Sequence, residues 1–267
     1  MLVGLSGFTT TSAQAGAWIP AMGHGYIEPM MRFSTASRSF PAGSFSTATA
    51  QSSNEHADQF RIVGEHGMGR RFSLDYDLRY ANDTRSKTKH GVTTSTDGSG
   101  LEDGRIGLDY GVLQTKRLAE AAGLGVVFPG TSIDAASALS SGRWAVEPVY
   151  RLGFKPGFWN LTATLDVASR VFLDGGAAQF RANLEGSAPV FHRLNLIGKT
   201  FLVRSVRMSG YNEVRDRNEL YNLLRLGVGA RFLLTKHMKP IILYETDIAG
   251  MSQHAGQRIT IGMKITY

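Results

Sequence analysis

Charged side chains fall at alternate positions in several segments of this chain, and that spacing limits the chemistry open to them. In Ser73-Leu74-Asp75-Tyr76-Asp77-Leu78-Arg79-Tyr80, two carboxylates and a guanidinium alternate with large apolar residues. Extended backbone sends successive side chains to opposite faces, so the segment presents one polar face and one apolar face. Collected over all such segments, the lumen-lining set is Asp75, Asp77, Arg79, Arg105, Asp109, Glu147, Arg151, Asp166, Arg181, Glu185, Arg225, Arg231, Glu245, Asp247, Arg258 and Lys264, with Arg170 and Lys199 in the same phase. Opposite charges in similar number around one interior have two possible uses. They set up a transverse field that orients polar solutes and fixes ion preference, or they satisfy one another in networks that fill the interior. The sequence leaves both open.

Other chemistries find little support. The chain has no cysteine, which removes disulfides and thiolate metal sites. Its seven histidines fall mainly in expected loops and turns, without metal-ligand spacing, and no Gly-x-Ser-x-Gly elbow accompanies them. The expectation is therefore no catalytic residue, no metal and no cofactor. A lipid-cleaving Ser/His pair on the outer wall would have to use His192 or His254, the two near strand ends. Gly98-Ser99-Gly100 and Asp174-Gly175-Gly176 precede no helical pattern and read as turns rather than phosphate loops. Asn160-Leu161-Thr162 matches a glycosylation acceptor but falls inside an expected strand. The net charge of +7 is dispersed rather than gathered in a stripe, which argues against nucleic acid. It suits a polar lumen, and loops such as Arg85, Lys87 and Lys89 lying against anionic lipopolysaccharide.

The elements that must position these charges are strands. Arg71 to Ala81 alternates strictly, and a helix of 3.6 residues per turn would scatter its apolar side chains around the axis. About ten residues at roughly 3.3 Å each, tilted by about 40°, cover about 25 Å, the height of a barrel's apolar band. The same pattern returns in Arg105 to Leu113, Trp144 to Phe154, Trp159 to Val167, Gln179 to Glu185, Leu220 to Phe232 and Ile242 to Ile248. It is weaker in Tyr26 to Thr35, His56 to Glu65, Gly123 to Phe128 and Leu194 to Val203. The last segment places Ile259, Ile261, Met263, Ile265 and Tyr267 toward lipid, and Arg258, Thr260, Gly262, Lys264 and Thr266 toward the lumen. Tyr267 is the membrane-assembly signal on this reading, which makes the barrel-assembly machinery a partner.

These segments predict an all-β chain: a closed antiparallel transmembrane β-barrel of about twelve strands, with ten to fourteen allowed. No run of about eighteen apolar residues occurs, so no membrane helix is expected. Phe154 to Phe158 and Leu234 to Pro240 look like short periplasmic turns; Phe40 to Asn54, Ala81 to Gly100 and Arg207 to Arg217 look like long extracellular loops. Pro148 lacks a donor for the ladder and predicts a bulge or a local end of pairing. A soluble all-β protein would carry Lys and Glu on its polar faces and few bulky aromatics at strand ends; Arg, Asp, Asn, Thr and Gly stand here instead, with Tyr, Phe and Trp near the ends. Residues 1–15 end in Ala13-Gln14-Ala15 and read as the remnant of a signal peptide. Residues 16–267 form one barrel in the outer membrane of a Gram-negative cell.

Several short motifs resemble one known group. Gly16-Ala17-Trp18, then Gly23-His24-Gly25, is similar to the mature start of the outer-membrane transporter family linked to a phenol-degradation (MetA) pathway. Gly100-Leu101-Glu102-Asp103-Gly104-Arg105-Ile106-Gly107-Leu108-Asp109-Tyr110 resembles a strand opening of that family, although Glu102 stands where the family has glycine and Asp109 where it has a basic residue. Val127-Phe128-Pro129-Gly130-Thr131 echoes its strand-end turn. The resemblance implies an outer-membrane barrel that passes small, often hydrophobic compounds. From the residues themselves, the reading is a channel or transporter passing small solutes through a charged polar lumen. The alternatives are a non-conducting structural or anchoring barrel of an envelope or export assembly, and a lipid-modifying enzyme. Outer-membrane lipid and lipopolysaccharide are its expected surroundings, with no nucleic acid partner.

Overall fold

Alternation of apolar and polar residues produces β-strands throughout the computed structural model, which describes residues 17–41, 44–89, 92–131, 141–157, 160–212, 220–251 and 254–267. The Ala13-Gln14-Ala15 signal, Gly16, His90, Trp159 and residues 213–217 lie outside the described residues. In chain order the strands are β1 Gly25–Ser39, β2 Thr49–Gly67, β3 Phe72–Lys89, β4 Val92–Leu101, β5 Gly104–Gln114, β6 Leu118–Phe128, β7 Ala145–Phe154, β8 Thr162–Phe172, β9 Ala177–Phe191, β10 Leu194–Arg207, β11 Asn222–Phe232, β12 Met238–Met251 and β13 His254–Thr266. Each pairs antiparallel with its neighbours. The sheet closes because β1 pairs with β2 on one side and with β13 on the other, Tyr26 facing Thr266 and Ser39 facing His254.

β4 and β5 share one position in the wall. The lower part of β3, Phe72 to Asp77, pairs with β5, whereas its upper part, Tyr80 to Lys89, pairs with β4. Glu102 and Asp103 interrupt the run between them, and the Asp103 carboxylate accepts from the backbone N–H of Ser141 at 3.0 Å. The barrel therefore has twelve wall positions, the even number that the sequence suggests.

The apolar faces point outward. Val228 is 65 % exposed and Ile242 53 %, while Thr260 and Lys264, in the opposite phase, are each 2 % exposed. Such a belt is stable only where lipid replaces water. The chain is an outer-membrane β-barrel. Among the described residues no helix is long and apolar enough to cross a membrane. Apolar clusters inside are small and sit toward the ends of strands, one formed by Phe40, Val203, Leu223 and Ala255, the other by Val127, Ala145, Phe172 and Ala177. The middle of the interior is left to charge.

Two local expectations are revised and a third, at Pro148, is met. Residues 81–100 are not an irregular loop: β3 runs on to Lys89 and β4 begins at Val92, a hairpin rising beyond the barrel rim. Alternation fails to mark it because outside the bilayer both faces meet water. The strand expected from Trp159 starts only at Thr162; Asn160, with φ of 48°, is a turn residue. Pro148 keeps its pairing with Leu124 of β6, but toward β8 the ladder skips from Val146–Val171 to Val149–Ala168. The missing N–H costs pairing on that side alone. Leu226 lies mid-strand on the lipid face, so Leu226→Arg should lower stability by about 2–4 kcal/mol in denaturant titrations of the barrel in lipid vesicles.

Candidate functional site

Twelve strands leave more interior than side chains fill, and a cavity of about 540 Å³ occupies the middle of the barrel. Asp75, Asp77, Arg79, Arg105, Glu147, Arg151, Asp166, Arg170, Arg181, Glu185, Lys199, Arg225, Arg231, Glu245, Arg258 and Lys264 line it. Asp109 and Asp247 sit behind that surface, 0 % and 5 % exposed, as wall-buried partners of lining arginines. Residues that the sequence left unassigned join them: Glu28 and Arg32 on β1, and Gln59, Arg61 and Glu65 on β2. A signal was available, since Gln59, Arg61, Val63 and Glu65 alternate with Phe60, Ile62 and Gly64. Mixed polar and small residues on β1 and β2 weakened the contrast between faces.

The charges pair in two regions of the wall, one around Glu147 and one around Asp247 and Glu185. In the first, Glu147 receives Arg105 at 2.9 Å, Arg170 at 2.8 Å and Arg181 at 3.1 Å. Asp75 pairs with Arg105, Asp109 with Arg151, and Asp77 with both Arg79 and Arg61. In the second, Asp247 holds Arg225 at 2.7 Å and Arg258 at 3.3 Å; Glu185 holds Lys199 at 2.9 Å and Arg231 at 3.6 Å; Arg32 reaches Glu245 at 3.8 Å. The pairing fixes side chains that would otherwise sweep the lumen.

The first group crosses a strand that carries no lumen charge of its own. Arg105 and Asp109 are on β5, their partners Glu147 and Arg151 on β7, and β6 runs between. The lumen face of β6 is Ala119, Ala121, Gly123, Gly125 and Val127. A Cβ at Gly125 would come 2.5 Å from Arg105 Nε, and one at Gly107 would come 2.8 Å from its Nη2. Only a residue without a side chain lets the guanidinium lie flat on the wall.

The network is incomplete. Arg181 Nε, Arg258 Nε, Asp166 Oδ1 and Glu245 Oε2 are buried with no hydrogen-bond partner. Twelve Lys and Arg line the cavity against eight Asp and Glu, so the cations stay in excess even with Asp109 and Asp247 added. An excess of fixed positive charge in a confined polar space favours anions.

At the end where β1 starts and β13 finishes, which also bears the short turns and is periplasmic by the habit of such barrels, the segment before β1 lies against the inner wall. Trp18 packs on Gly153, donates its indole N–H to the Thr115 carbonyl at 3.0 Å, and carries the Lys155 ammonium 4.2 Å above its ring. Burial lowers the Lys155 pKa. Tyr267 is half-exposed here: its backbone pairs with Gly25, its ring stacks with His66 at 6.0 Å, and its carbonyl lies 3.2 Å from His24 Nδ1. His237 Nδ1 lies 2.9 Å from the Thr266 carbonyl. Among the described residues no three His, Asp or Glu are grouped to hold a metal.

No family model and no curated protein matches the sequence. Among solved structures the fold is similar to an outer membrane channel from Pseudomonas putida F1, with TM-score 0.70 and 13 % identity over 95 % of this chain and 99 % of that one. It is also similar to the NanC porin, at TM-score 0.56 and 9 % identity over 90 % and 98 % of the two chains. The translocator domain of the autotransporter NalP from Neisseria meningitidis gives TM-score 0.52 and 12 % identity over 93 % and 90 %. At these identities the likeness is one of fold.

Substitutions at Asp109, Arg151 and Gly125 test the charge network. Asp109→Ala removes the fully buried partner of Arg151, leaving only the longer contact to Asp75 at 3.6 Å, and should cost about 3–5 kcal/mol, whereas adding Arg151→Leu should recover part of that loss. Gly125→Val should cost about 1–3 kcal/mol by displacing Arg105. Denaturant unfolding of the refolded barrels reads all three.

Proposed function

We propose that the protein is a channel that passes small solutes across the outer membrane through its charged lumen. The observation that carries this reading is the central cavity: about 540 Å³ of space walled by opposed charges that are pinned to the wall. Charges that merely filled a narrow barrel would meet across its axis; here Arg105, Asp109, Glu147 and Arg151 are drawn sideways along the wall by the small residues of β6. The fold likeness to an outer membrane channel and to a porin supports the same reading. Membership of the phenol-degradation transporter family belongs to the proposal too. It is supported by the motif from Gly100 to Tyr110, which spans the break between β4 and β5 and supplies Arg105, with Glu102 and Asp109 as its departures from the family pattern. Lipopolysaccharide around the upper hairpin and recognition of Tyr267 by the barrel-assembly machinery complete the proposed setting.

The test is conductance of the refolded protein in planar bilayers, with Arg79→Ala and Asp75→Ala alongside. Discrete steps are expected, with ion preference moving toward cations in Arg79→Ala and toward anions in Asp75→Ala. A folded barrel that carries no current would overturn the channel and return the assignment to an anchoring barrel.

A further inference from the structure

Below the central lumen, at the periplasmic mouth, a second cavity of about 460 Å³ lies between the inner ends of β8 to β12. That is room for a small organic molecule. Its charged lining has one sign. Lys155, Arg193, Arg231 and Lys239 contribute to it, with His192 beside them, and no Asp or Glu among the described residues lines it. The central lumen differs, since eight carboxylates stand there among twelve cations.

Arg231 borders both cavities and connects them. Its ion pair with Glu185 is long, at 3.6 Å, and its buried Nε has no hydrogen-bond partner. Lys239 and Lys264 both lie close enough to repel it. Cations that outnumber the carboxylates beside them raise the electrostatic free energy of the folded barrel, and a bound anion relieves it. The rest of the lining includes Leu161, Phe191 and Leu233, which offer apolar surface beside the charges.

We propose that this vestibule is an exit site for small monocarboxylates: Arg231, Lys239 and Arg193 take the carboxylate, and the apolar body rests on Leu161, Phe191 and Leu233. Its physiological meaning rests on the channel reading, but binding itself needs no conduction. A carboxylate leaving a lumen of mixed charge for a vestibule of purely positive charge moves down its electrostatic gradient toward the periplasm. The charged-group arrangement thus gives the proposed channel a direction of capture.

Isothermal titration calorimetry on the barrel refolded in detergent tests this with butyrate and its neutral counterpart butyramide, at neutral pH and low ionic strength. Butyrate should bind and butyramide should not. Lys239→Gln and, in the exposed turn, Arg193→Gln should each weaken butyrate binding by about tenfold, the loss of one hydrogen bond to a charged group, while Lys239→Arg should retain it. Heat-modifiable mobility in gels establishes that each variant is folded, and either glutamine variant serves if the other does not fold. Equal binding of the two probes, no binding of butyrate, or wild-type affinity in the glutamine variants would overturn the site. Butyrate binding by a barrel that is silent in bilayers would keep the site and remove the channel; a conducting barrel indifferent to butyrate would do the reverse.

Discussion

Lipid offers a peptide group nothing to hydrogen-bond, and the whole architecture follows from that constraint. Every strand must pair on both sides through the bilayer, so the sheet has to close. The seam between β1 and β13 meets the requirement with an antiparallel ladder, irregular between Ala36 and Arg38, that ends on mutual bonds between Gly25 and Tyr267. Where the wall leaves the bilayer the constraint lapses. β3 and β4 climb above the rim as a polar hairpin, and the chain breaks at Glu102 and Asp103 before resuming as β5. The same constraint explains why Pro148 is tolerated, since only one of its two neighbours loses a bond.

Closure puts one face of every strand in lipid and gathers most of the strands' charges inside. Buried charges must be paired or hydrated. This barrel pairs most of them tangentially, along the wall. Glu147 holding three arginines from β5, β8 and β9 is the centre of one such group, and Asp247 bridging β11 and β13 is the centre of another. The uncharged lumen face of β6 makes the first group possible, because Gly123 and Gly125 leave space for Asp109 and Arg105 to cross it. Pairing across strands stiffens the wall and keeps the axis clear. A few buried polar atoms, Arg181 Nε and Asp166 Oδ1 among them, are left without a partner.

The periplasmic end is built differently. Trp18 packs against Gly153 at the mouth, and Lys155, above its ring, also lines the vestibule whose charged residues are all cationic. Arg231 belongs to both compartments, so the polarity of the route changes at that residue. A mixed lumen above and a positive vestibule below make the interior electrically asymmetric along its axis.

Much of this was legible in the residue order. A period of two is a property of the extended backbone alone, so Phe72 to Tyr80 or Ile259 to Tyr267 declares a strand, its two faces and which of them is wet without reference to any other segment. Summed over the chain, that local property determined the all-β class, the approximate strand number and the wet phase that holds Arg79, Arg151 and Lys264. It could not show the hairpin of β3 and β4, where both faces are wet, and it marked β1 and β2 only weakly and left their lumen charges unassigned, because small and polar residues blur the contrast there. Nor could it pair the charges. Which carboxylate meets which guanidinium depends on the stagger between strands far apart in sequence and on where glycine leaves room, as between Arg105 and Glu147 across Gly125. Asp109 and Asp247 share the wet phase with Asp75, yet only tertiary structure decided that they would be buried behind the lumen surface, because burial is set by what the neighbouring strands lay over them.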